Sequence, residues 1–390
     1  MKLCVYGGSF NPPHVGHLAA IRAAQAALPL DEVRVIPAAT PPHKQLSPGS
    51  PNAEERLELC RLAFAALPGV TVSDLELRRE GKSYTVDTVR ALRRSEPDAE
   101  LYLLIGTDML ATFEEWYCFA EILEQVTLLA TAREDGELET VQAHAARLRA
   151  DYGANVIVIR TPPLPLSSTQ IRRLLPERHG AEFLPGEVYA RVIRKRLYEA
   201  KPSFHYLREE SYPFLAPRRV AHVWGCEHEA RRLARRWGVD EDDAAEAGIL
   251  HDITKKFNRN DQLLLSQKYG IMNDNIELAN LKLLHAKTGA AMSRELFGVP
   301  EQIASAIRWH TTGHEDMTLL EQVLYLADYI EPTRDFPGVE ELRALAYENL
   351  SAAMILGLEM SLEELRAKGV EPHPNTVAAL NWFRAREVEA

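Results

Sequence analysis

Short apolar runs alternate with longer helical patterns in the first half of the chain, from Met1 to about Tyr198. Runs that are apolar throughout and are separated by helices predict a parallel β-sheet with helices covering both faces. The predicted strands are Leu3–Tyr6, Val33–Ile36, Val70–Leu77, Leu101–Ile105, Thr127–Thr131 and Val156–Ile159. Ligands of such sheets bind at the carboxyl ends of the strands, so we expect the chemistry of this half at that edge.

The strand pattern ends near Tyr198, and only helical patterns follow it. The helices predicted before this point include His17–Leu28, Ala53–Leu67, Thr85–Arg94 and Val141–Tyr152. Those predicted after it include Val220–Trp237, Glu241–His251, Asp261–Tyr269, Lys287–Leu296, Glu301–Trp309, Leu319–Tyr329, Val339–Ala346 and Asn375–Arg386. The connection between the halves is rich in proline, which favours a domain boundary near Pro202. The sequence therefore predicts an α/β domain over residues 1–200 and an all-α domain over residues 203–390.

Acidic residues outnumber basic ones, 56 to 45, which gives the 390-residue chain a formal net charge of −11. This balance argues against a protein that binds nucleic acid through its phosphates. The four cysteines are scattered without metal-binding spacing, which is typical of reduced thiols in the cytoplasm. No apolar run approaches the roughly 18 residues that a membrane span needs. The short apolar run near the N-terminus does not predict a signal peptide.

The segment GGSFNPPHVGH, Gly7–His17, follows the first predicted strand directly. Gly7 and Gly8 allow a ligand to approach the backbone, because neither residue carries a Cβ atom. His14 and His17 open the next helix, so we expect both imidazoles on one face beside the exposed N–H groups of the first turn. Such a helix N-terminus favours phosphate. Taken alone, the two histidines are better explained as solvated residues after a Gly-Pro turn.

Two further segments bring phosphate-binding side chains to other strand ends. TPPHK follows the second predicted strand and puts Lys44 on a loop. LSSTQIR follows the last predicted strand and opens a helix, with Ser167 or Ser168 as the N-cap and Arg172 in the first turns. Each segment alone is weak evidence, because loop lysines and capped helices are common. Together with the glycine-rich segment they predict phosphate-binding groups at three strand ends.

These three segments resemble those of the nicotinate-nucleotide adenylyltransferase family, whose members are nucleotidyltransferases built on a Rossmann-like sheet. The match extends over residues 1–198 in the same order, and HxGH is the signature of the wider superfamily. The resemblance implies that ATP and nicotinate mononucleotide give nicotinate adenine dinucleotide and pyrophosphate, with Mg²⁺ accompanying ATP. It implies that His14 and His17 hold the reacting phosphates, and that Lys44 and Arg172 hold the pyrophosphate end. The further ATP- and phosphate-binding residues that it implies are Gly7, Gly8, Ser9, Phe10, Ser168 and Thr169.

The segments SYTVDT and GTDMLATFEEWY resemble the nicotinate-binding elements of the same family. On this resemblance Thr85 contacts the pyridine carboxylate, Asp108 contacts the ribose hydroxyls, and Trp116 stacks on the ring. The alternatives are that Thr85 caps a helix and that Trp116 fills the core. Another member of the superfamily, such as a pantetheine-phosphate or cytidylyl transferase, remains the rival prediction.

Eight of the thirteen histidines lie in the second half. Its candidate metal ligands occur at or near the ends of apolar helical segments; they are His222, His251, Asp252, His285, His310 and Asp328. Four imidazoles and two carboxylates without a cysteine suit two ions, and Fe, Mn or Mg fits them better than a closed zinc site. Asp252 is the candidate bridging ligand, and Lys255, one turn later, would contact substrate phosphate. Any one of these residues alone is more often a hydrogen-bonded core residue, and Arg308 and His314 are better explained as solvated.

The order H…HD…H…H…D resembles the HD-domain metal phosphohydrolases. More narrowly, LLHDITKK, IRWHTTG and YLADYIEPTRDFPGVEELRALA resemble the bacterial HD-type symmetrical bis(5′-nucleosyl)-tetraphosphatases, closely over about Val220–Ala346. This resemblance implies hydrolysis of diadenosine tetraphosphate to two ADP at a di-iron site. One departure is the segment HAKTG, His285–Gly289, where a glycine is expected directly after the histidine, and Lys287 in this segment could perturb the fit of the substrate. The sequence leaves open a domain that acts on another nucleotide phosphate, a non-catalytic sensor of metal or nucleotide, and a homo-oligomer.

Overall fold

A computed structural model describes residues 1–42, 46–132, 135–162 and 167–389, with the backbone alone at residues 135, 136, 388 and 389. The chain separates into two compact units, Met1–Lys201 and Pro202–Ala390. Lys44, one of the predicted phosphate-binding residues, lies outside the described residues. In the part of the chain that is described, none of the helices has the length and apolar character needed to cross a bilayer.

The described part of the first unit contains a six-stranded sheet in which neighbouring strands run parallel. Its strands are β1 (Lys2–Gly8), β2 (Glu32–Pro37), β3 (Val70–Val72), β4 (Glu100–Ile105), β5 (Thr127–Ala132) and β6 (Val156–Arg160). They lie in the order β3-β2-β1-β4-β5-β6, so the predicted parallel sheet is confirmed. The direction of winding changes between β1 and β4, and a crevice is expected at the carboxyl ends of strands at such a point.

Helices connect these strands and cover the sheet. They are α1 (Val15–Ala27), α2 (Ala53–Phe64), α3 (Thr85–Ser95), α4 (Thr107–Ala111), α5 (Phe119–Gln125), α6 (Asp135–Tyr152), α7 (Ser168–Leu174) and α8 (Gly186–Arg194). The two central strands are apolar because both of their faces are buried; Leu3, Val5, Leu101, Leu103 and Ile105 are each less than 5% exposed. Burial of side chains of this size contributes about 1.5–3 kcal/mol each. The strand ends that carry the loops are therefore firmly held.

The strand predicted over Val70–Leu77 is wrong in its extent, because β3 ends at Val72. Beyond this point the Ser73 hydroxyl accepts a hydrogen bond from the Leu75 amide, and the Asp74 carbonyl accepts one from the Leu77 amide. Serine and aspartate favour such local turns over a strand ladder. The apolar residues at the end of the predicted strand therefore belong to a turn.

In the described residues of the second unit, all of the regular secondary structure is helical, as predicted. Its helices are α9 (Phe204–Ser211), α10 (Pro217–Trp237), α11 (Glu241–Leu250), α12 (Arg259–Lys268), α13 (Asn275–Ala279), α14 (Leu281–Phe297), α15 (Glu301–Trp309), α16 (Leu319–Ile330), α17 (Val339–Glu348), α18 (Leu350–Ala367) and α19 (Pro374–Glu389). Helices α9, α13 and α18 were not among those predicted, and α14 begins six residues before the predicted Lys287. That earlier start places His285 inside a helix.

Helix α11 is the centre of the second unit, since Ala244 to Leu250 are all buried. It packs closely against α10: a Cβ atom added at Gly248 would lie 2.9 Å from the Glu227 Cα atom. We expect Gly248→Ala to lower the free energy of unfolding by about 1–3 kcal/mol, because the two backbones must separate. Denaturant unfolding monitored by circular dichroism checks this.

The matched control is Gly186→Ala at the start of α8, where an added Cβ meets nothing within 4 Å. This change is expected to leave stability unchanged or slightly higher, because alanine favours the helix over glycine. Equal stability of the two variants would show that the α10–α11 contact tolerates a methyl group.

Candidate active sites

The loop after β1 ends in the two predicted phosphate-binding histidines. His14 is the N-cap of α1 and His17 lies in its first turn, so both residues stand where the helix opens. Their rings are adjacent, with centroids 3.8 Å apart. Nδ1 of His14 accepts the Gly16 amide at 3.2 Å, and Nδ1 of His17 accepts the His14 amide at 3.0 Å. Because both Nδ1 atoms accept, Nε2 carries the proton of each neutral ring and can donate to a phosphate.

The start of α7 is joined to the same loop. The Ser168 hydroxyl donates to the Pro12 carbonyl at 3.2 Å, while Ser167 is the N-cap and forms a capping box with Gln170. The Arg172 guanidinium donates to the Asn11 carbonyl at 2.6 Å and to the Ser47 hydroxyl at 3.0 Å. The donors predicted at the first and last strand ends therefore meet in one place.

Two cavities lie side by side at the carboxyl edge of the sheet. The first, of about 230 Å³, is lined by His14, His17, Ser168, Thr169 and Arg172 among others. The second, of about 320 Å³, is lined by Gly7, Gly8, Phe10, Thr85 and Trp116 among others. Both are lined by Tyr6, Ser9, His17, Gly106, Asp108 and Met109. Two ligands held there would meet at the wall formed by these shared residues.

The second cavity is lined by Thr85 and Trp116, the two predicted nicotinate-binding residues for which the sequence left alternatives open. Thr85 is the first residue of α3, and the N-cap is Tyr84, whose side chain makes no capping hydrogen bond. The first turn of α3 therefore offers unsatisfied N–H groups beside this cavity. Trp116 is half-buried, packs on the core with its ring centroid 4.8 Å from that of Phe113, and also lines the cavity. Trp116 thus packs on the core and also faces the cavity, and its stacking on a pyridine ring stays a prediction.

In the second unit, all six predicted metal-ligating residues converge. The Asp252 carboxylate contacts four imidazoles: Oδ1 lies 3.1 Å from Nε2 of His285 and 3.8 Å from that of His310. Oδ2 lies 3.4 Å from Nε2 of His251 and 3.6 Å from that of His222. Asp328 completes the set, with Oδ1 3.0 Å from Nε2 of His222 and 3.8 Å from that of His251. We call these six residues the ligand cluster.

The imidazoles of the ligand cluster are oriented from behind. Nδ1 of His251 lies 2.7 Å from the Gly248 carbonyl, and Nδ1 of His310 lies 2.6 Å from the Ile307 carbonyl. Donation from Nδ1 leaves Nε2 unprotonated and facing the carboxylates, which is the arrangement of a metal-binding histidine. Burial lowers the pKa of His310 to about 4 and the pKa values of His251 and His285 well below the ordinary value. These rings are therefore neutral at pH 7, as metal binding requires.

Glu331 orients a third imidazole, that of His222, and was not predicted from the sequence. Its Oε1 accepts from Nδ1 of His222 at 2.9 Å, and its side chain is fully buried. The carboxylate fits there because residue 225 on α10 is glycine: an added Cβ would lie 2.5 Å from Oε2 of Glu331. Glu331 stands in the segment YIEP directly after α16, so its nearness to Asp328 was the available signal.

A cavity of about 570 Å³ opens beside the ligand cluster, and basic side chains surround it. Its lining residues include Arg218, Arg219, Lys255, Lys256 and Arg334 together with His222, Asp252 and Glu331. The Lys255 ammonium lies 3.1 Å from Oδ1 of Asp252, the Arg334 guanidinium lies 2.7 Å from Oδ1 of Asp328, and Arg219 contacts Oδ2 of Asp252. Burial lowers the pKa of Lys255 to about 8. Of these five cationic residues, Lys255 was the one predicted from the sequence to contact substrate phosphate.

Three side chains that the sequence analysis considered have other partners. Lys287, which lies in the departing segment His285–Gly289, donates to the Glu277 carboxylate at 2.6 Å and to the Met272 carbonyl at 3.1 Å. Arg308 stacks on Trp309, and His314 lies 3.2 Å from the Glu321 carboxylate. Within the described residues, none of the three lines the basic cavity.

Comparison with known proteins divides the chain in the same way. A family model described as cytidylyltransferase-like matches residues 5–174, and an HD-domain model matches residues 219–333. The probable nicotinate-nucleotide adenylyltransferase of Carboxydothermus hydrogenoformans is 35% identical over 198 residues, which are 50% of this chain and 98% of that protein. The protein of the same description from Geobacter metallireducens is 37% identical over 213 residues, with 51% and 98% covered.

A solved structure resembles the other half. It is a predicted HD superfamily hydrolase involved in NAD metabolism from Clostridium acetobutylicum, 32% identical, covering 48% of this chain and all of that one with a TM-score of 0.46. Since almost the whole length of each adenylyltransferase relative aligns at 35–37% identity, the first half carries more than a shared fold. The chain therefore belongs to the nicotinate-nucleotide adenylyltransferase family, and its second half contains an HD domain.

Proposed function

We propose that the chain is a bifunctional enzyme. Its first unit transfers AMP from ATP to nicotinate mononucleotide, which yields nicotinate adenine dinucleotide and pyrophosphate. Its second unit hydrolyses diadenosine tetraphosphate to two ADP at a centre that holds two metal ions. The first proposal rests mainly on the wall shared by two cavities, and the second on the basic cavity beside the ligand cluster.

The shared wall suits a transfer between two phosphates. The nucleophile is already an anionic phosphate and needs no general base, so the enzyme has to align the reactants and neutralise charge. In this proposal Nε2 of His17 donates to the transferring phosphate, while His14 and Arg172 hold the rest of the chain of phosphates. Mg²⁺ arrives with ATP and neutralises part of its charge, and Asp108 is the carboxylate that both cavities share.

The second cavity favours a nicotinate ligand. Tyr84 and Thr85 line it where α3 begins, and the positive end of the helix dipole attracts the pyridine carboxylate. Competition between nicotinate and nicotinamide mononucleotides, followed through pyrophosphate release from ATP, tests this proposal. Preference for the nicotinate form is the expected result, and a protein that uses neither compound would contradict the transfer activity.

Trp116→Ala is expected to raise the KM for nicotinate mononucleotide about tenfold, because stacking of an aromatic ring on a base contributes about 1–3 kcal/mol. The KM for ATP should change less than about twofold, since Trp116 lines the second cavity and not the first. Steady-state kinetics with each substrate varied in turn measures both values. Trp224→Ala, at an exposed tryptophan of the second unit, is the control. Equal rises in both KM values would favour the core-filling role of Trp116.

The ligand cluster suits two divalent ions such as Fe, Mn or Mg. Among the described residues no hydrogen bond reaches Oδ1 of the fully buried Asp252, although His285 and Lys255 lie near it. A fully buried carboxylate with two imidazoles near each of its oxygens fits a bridging metal ligand. His222, His251 and Asp328 would hold one ion, and His285 and His310 the other, with Asp252 shared. Paired ions activate water and stabilise the charge of a cleaving phosphoanhydride.

The protein's own groups would then bind and orient the substrate. Lys255 and Arg219 lie next to Asp252, where the cleaved phosphate would be held, and Arg334 lies next to Asp328. Arg218 and Lys256 are exposed and would contact the phosphates of the substrate that lie farther from the ligand cluster. A surplus of cations in a protein of net charge −11 favours a substrate with several phosphates.

Elemental analysis of anaerobically purified protein, combined with chromatography of the products from diadenosine tetraphosphate, tests the hydrolase. Two ADP per substrate are expected, together with about two metal ions per chain. AMP and ATP as products would contradict symmetrical cleavage. Turnover of other nucleotide phosphates alone would favour a different substrate.

A further inference from the structure

Arg56 on α2 is a buried cation behind the adenylyltransferase site. Its side chain is 1% exposed and is among the largest fully buried side chains of the described residues. Nη1 donates to the Ser9 carbonyl at 2.8 Å, and Nη2 donates to the Ala39 carbonyl at 2.9 Å. These carbonyls belong to the loops that follow β1 and β2. One planar guanidinium therefore joins the loops at two neighbouring strand ends.

The positive charge of Arg56 has little compensation nearby. In the described part of the chain its Nε atom lacks a hydrogen-bond partner, and Glu54, the acidic residue that acts on it, is exposed on the same helix. Burial raises the pKa values of Cys60 and Tyr198, the other ionisable neighbours, so both stay neutral at pH 7. Burying a charge in this way is unfavourable. Two charge-assisted hydrogen bonds offset only part of that cost.

Arg56 does not line the cavities itself, but it holds a residue that does. Ser9 lines both cavities of the first unit, whereas Arg56 lines neither. The loop after β2 is fixed from its other side by Ser83, whose hydroxyl accepts the Ala39 amide at 3.0 Å. Ala39 is therefore held on two sides, by Arg56 and by Ser83, and Arg56 also holds Ser9, which lines both cavities.

We propose that Arg56 is a positioning residue for adenylyl transfer: its guanidinium joins the backbone at Ser9 after β1 to the backbone at Ala39 after β2, and its charge, which the described residues compensate only in part, strengthens the binding of substrate phosphates. This proposal rests on the proposed transfer activity of the first unit. The anionic substrate would supply the countercharge that the protein does not provide. The two roles are separable, because a lysine retains the charge but cannot reproduce the planar, two-armed geometry of arginine.

The test uses the full-length protein with Arg56→Met, Arg56→Lys and the control Arg61→Met. Arg61 lies on the same helix, about half exposed, in a surface ion pair with Glu58. Calorimetry measures the Kd of Mg–ATP and of uncharged adenosine, and steady-state assays measure kcat and KM. Thermal unfolding reports the stability of each variant.

Arg56→Met is expected to weaken ATP binding about tenfold while the Kd of adenosine changes about twofold or less, because the lost charge acts on the phosphates. We expect Arg56→Lys to restore most of the ATP affinity but to keep a kcat about 10²-fold below that of the unaltered protein, since misplacement near 1 Å has effects of this size. Arg61→Met should behave like the unaltered protein. This pattern of restored Kd and unrestored kcat would not arise from a loss of stability.

Parallel weakening of ATP and adenosine binding in Arg56→Met would overturn the electrostatic role. Full recovery of kcat in Arg56→Lys would overturn the positioning role. If Arg56→Met does not fold, Arg56→Lys still tests the proposal. A loss of ATP affinity in Arg56→Lys by as large a factor as its loss of kcat would contradict the proposal. If the unaltered protein forms no dinucleotide, the transfer activity itself fails, while the comparison of ATP with adenosine still judges the effect of the charge.

Discussion

Asp252→Asn is expected to reduce the release of ADP from diadenosine tetraphosphate by about 10³-fold or more and to remove most of the bound metal. Asparagine has nearly the same shape, but its amide cannot bridge two cations as the carboxylate can. Each oxygen of Asp252 faces two of the four imidazoles, so its loss affects both metal positions at once. Loss of a residue that only hydrogen-bonds to a metal ligand typically reduces metal affinity or activity 10–100-fold, and loss of a ligand shared by two ions should have a larger effect. Chromatography of ADP and metal analysis per chain measure the two outcomes.

The control is Asp316→Asn, because Asp316 is strongly exposed and pairs only loosely with Arg386. We expect this variant to retain both metal and turnover. Nicotinate adenine dinucleotide should form at the same rate in both variants, since the two units are compact on their own. Equal ADP release from Asp252→Asn and the unaltered protein would show that the HD domain is not the hydrolase.

His17→Ala is expected to lower the rate of adenylyl transfer by about 10²–10³-fold, which is the usual effect of removing one donor to a developing charge. His17 lines both cavities, so it is the histidine best placed to contact the phosphate in transit. Nδ1 of His17 also accepts a hydrogen bond from the backbone amide of His14, the N-cap of α1, so the substitution removes that hydrogen bond as well. The release of pyrophosphate from ATP and nicotinate mononucleotide measures the effect.

His179→Ala serves as the control for His17→Ala, because His179 is an exposed histidine of the same unit. Its transfer rate should match that of the unaltered protein. Hydrolysis of diadenosine tetraphosphate should be unchanged in both histidine variants. Loss of hydrolysis along with transfer in His17→Ala would contradict the assignment of one activity to each unit.

The sequence predicted the fold class because its signals are local. Fully apolar runs indicate strands with two buried faces, and five of the six predicted strands agree closely with the structure. The missed helices have weaker local signals: α9 lies in a proline-rich connection that was interpreted as a linker. In α18 the buried side chains are interrupted by Gly357 and by partly buried apolar neighbours, which obscures the helical period.

The sequence allowed prediction of those site residues that lie in continuous motifs. Residues of GGSFNPPHVGH and SSTQIR line the same cavity because parallel strands end at one edge of a sheet. Arg56, Arg219 and Glu331 escaped notice because their importance comes from partners far along the chain. Arg56 meets Ser9 across 47 residues, and Glu331 meets His222 across 109. The local sequence marks such contacts weakly, and for Glu331 the one signal was its nearness to Asp328.

The absence of a side chain at Gly225 has a chemical consequence beyond packing. Room for the Glu331 carboxylate keeps the proton of His222 on the ring nitrogen that faces away from the cluster. A single methyl group at residue 225 would push that carboxylate aside and free the ring to take its other tautomer. We therefore expect the metal affinity of the ligand cluster to depend on residue 225, which is not one of its six members.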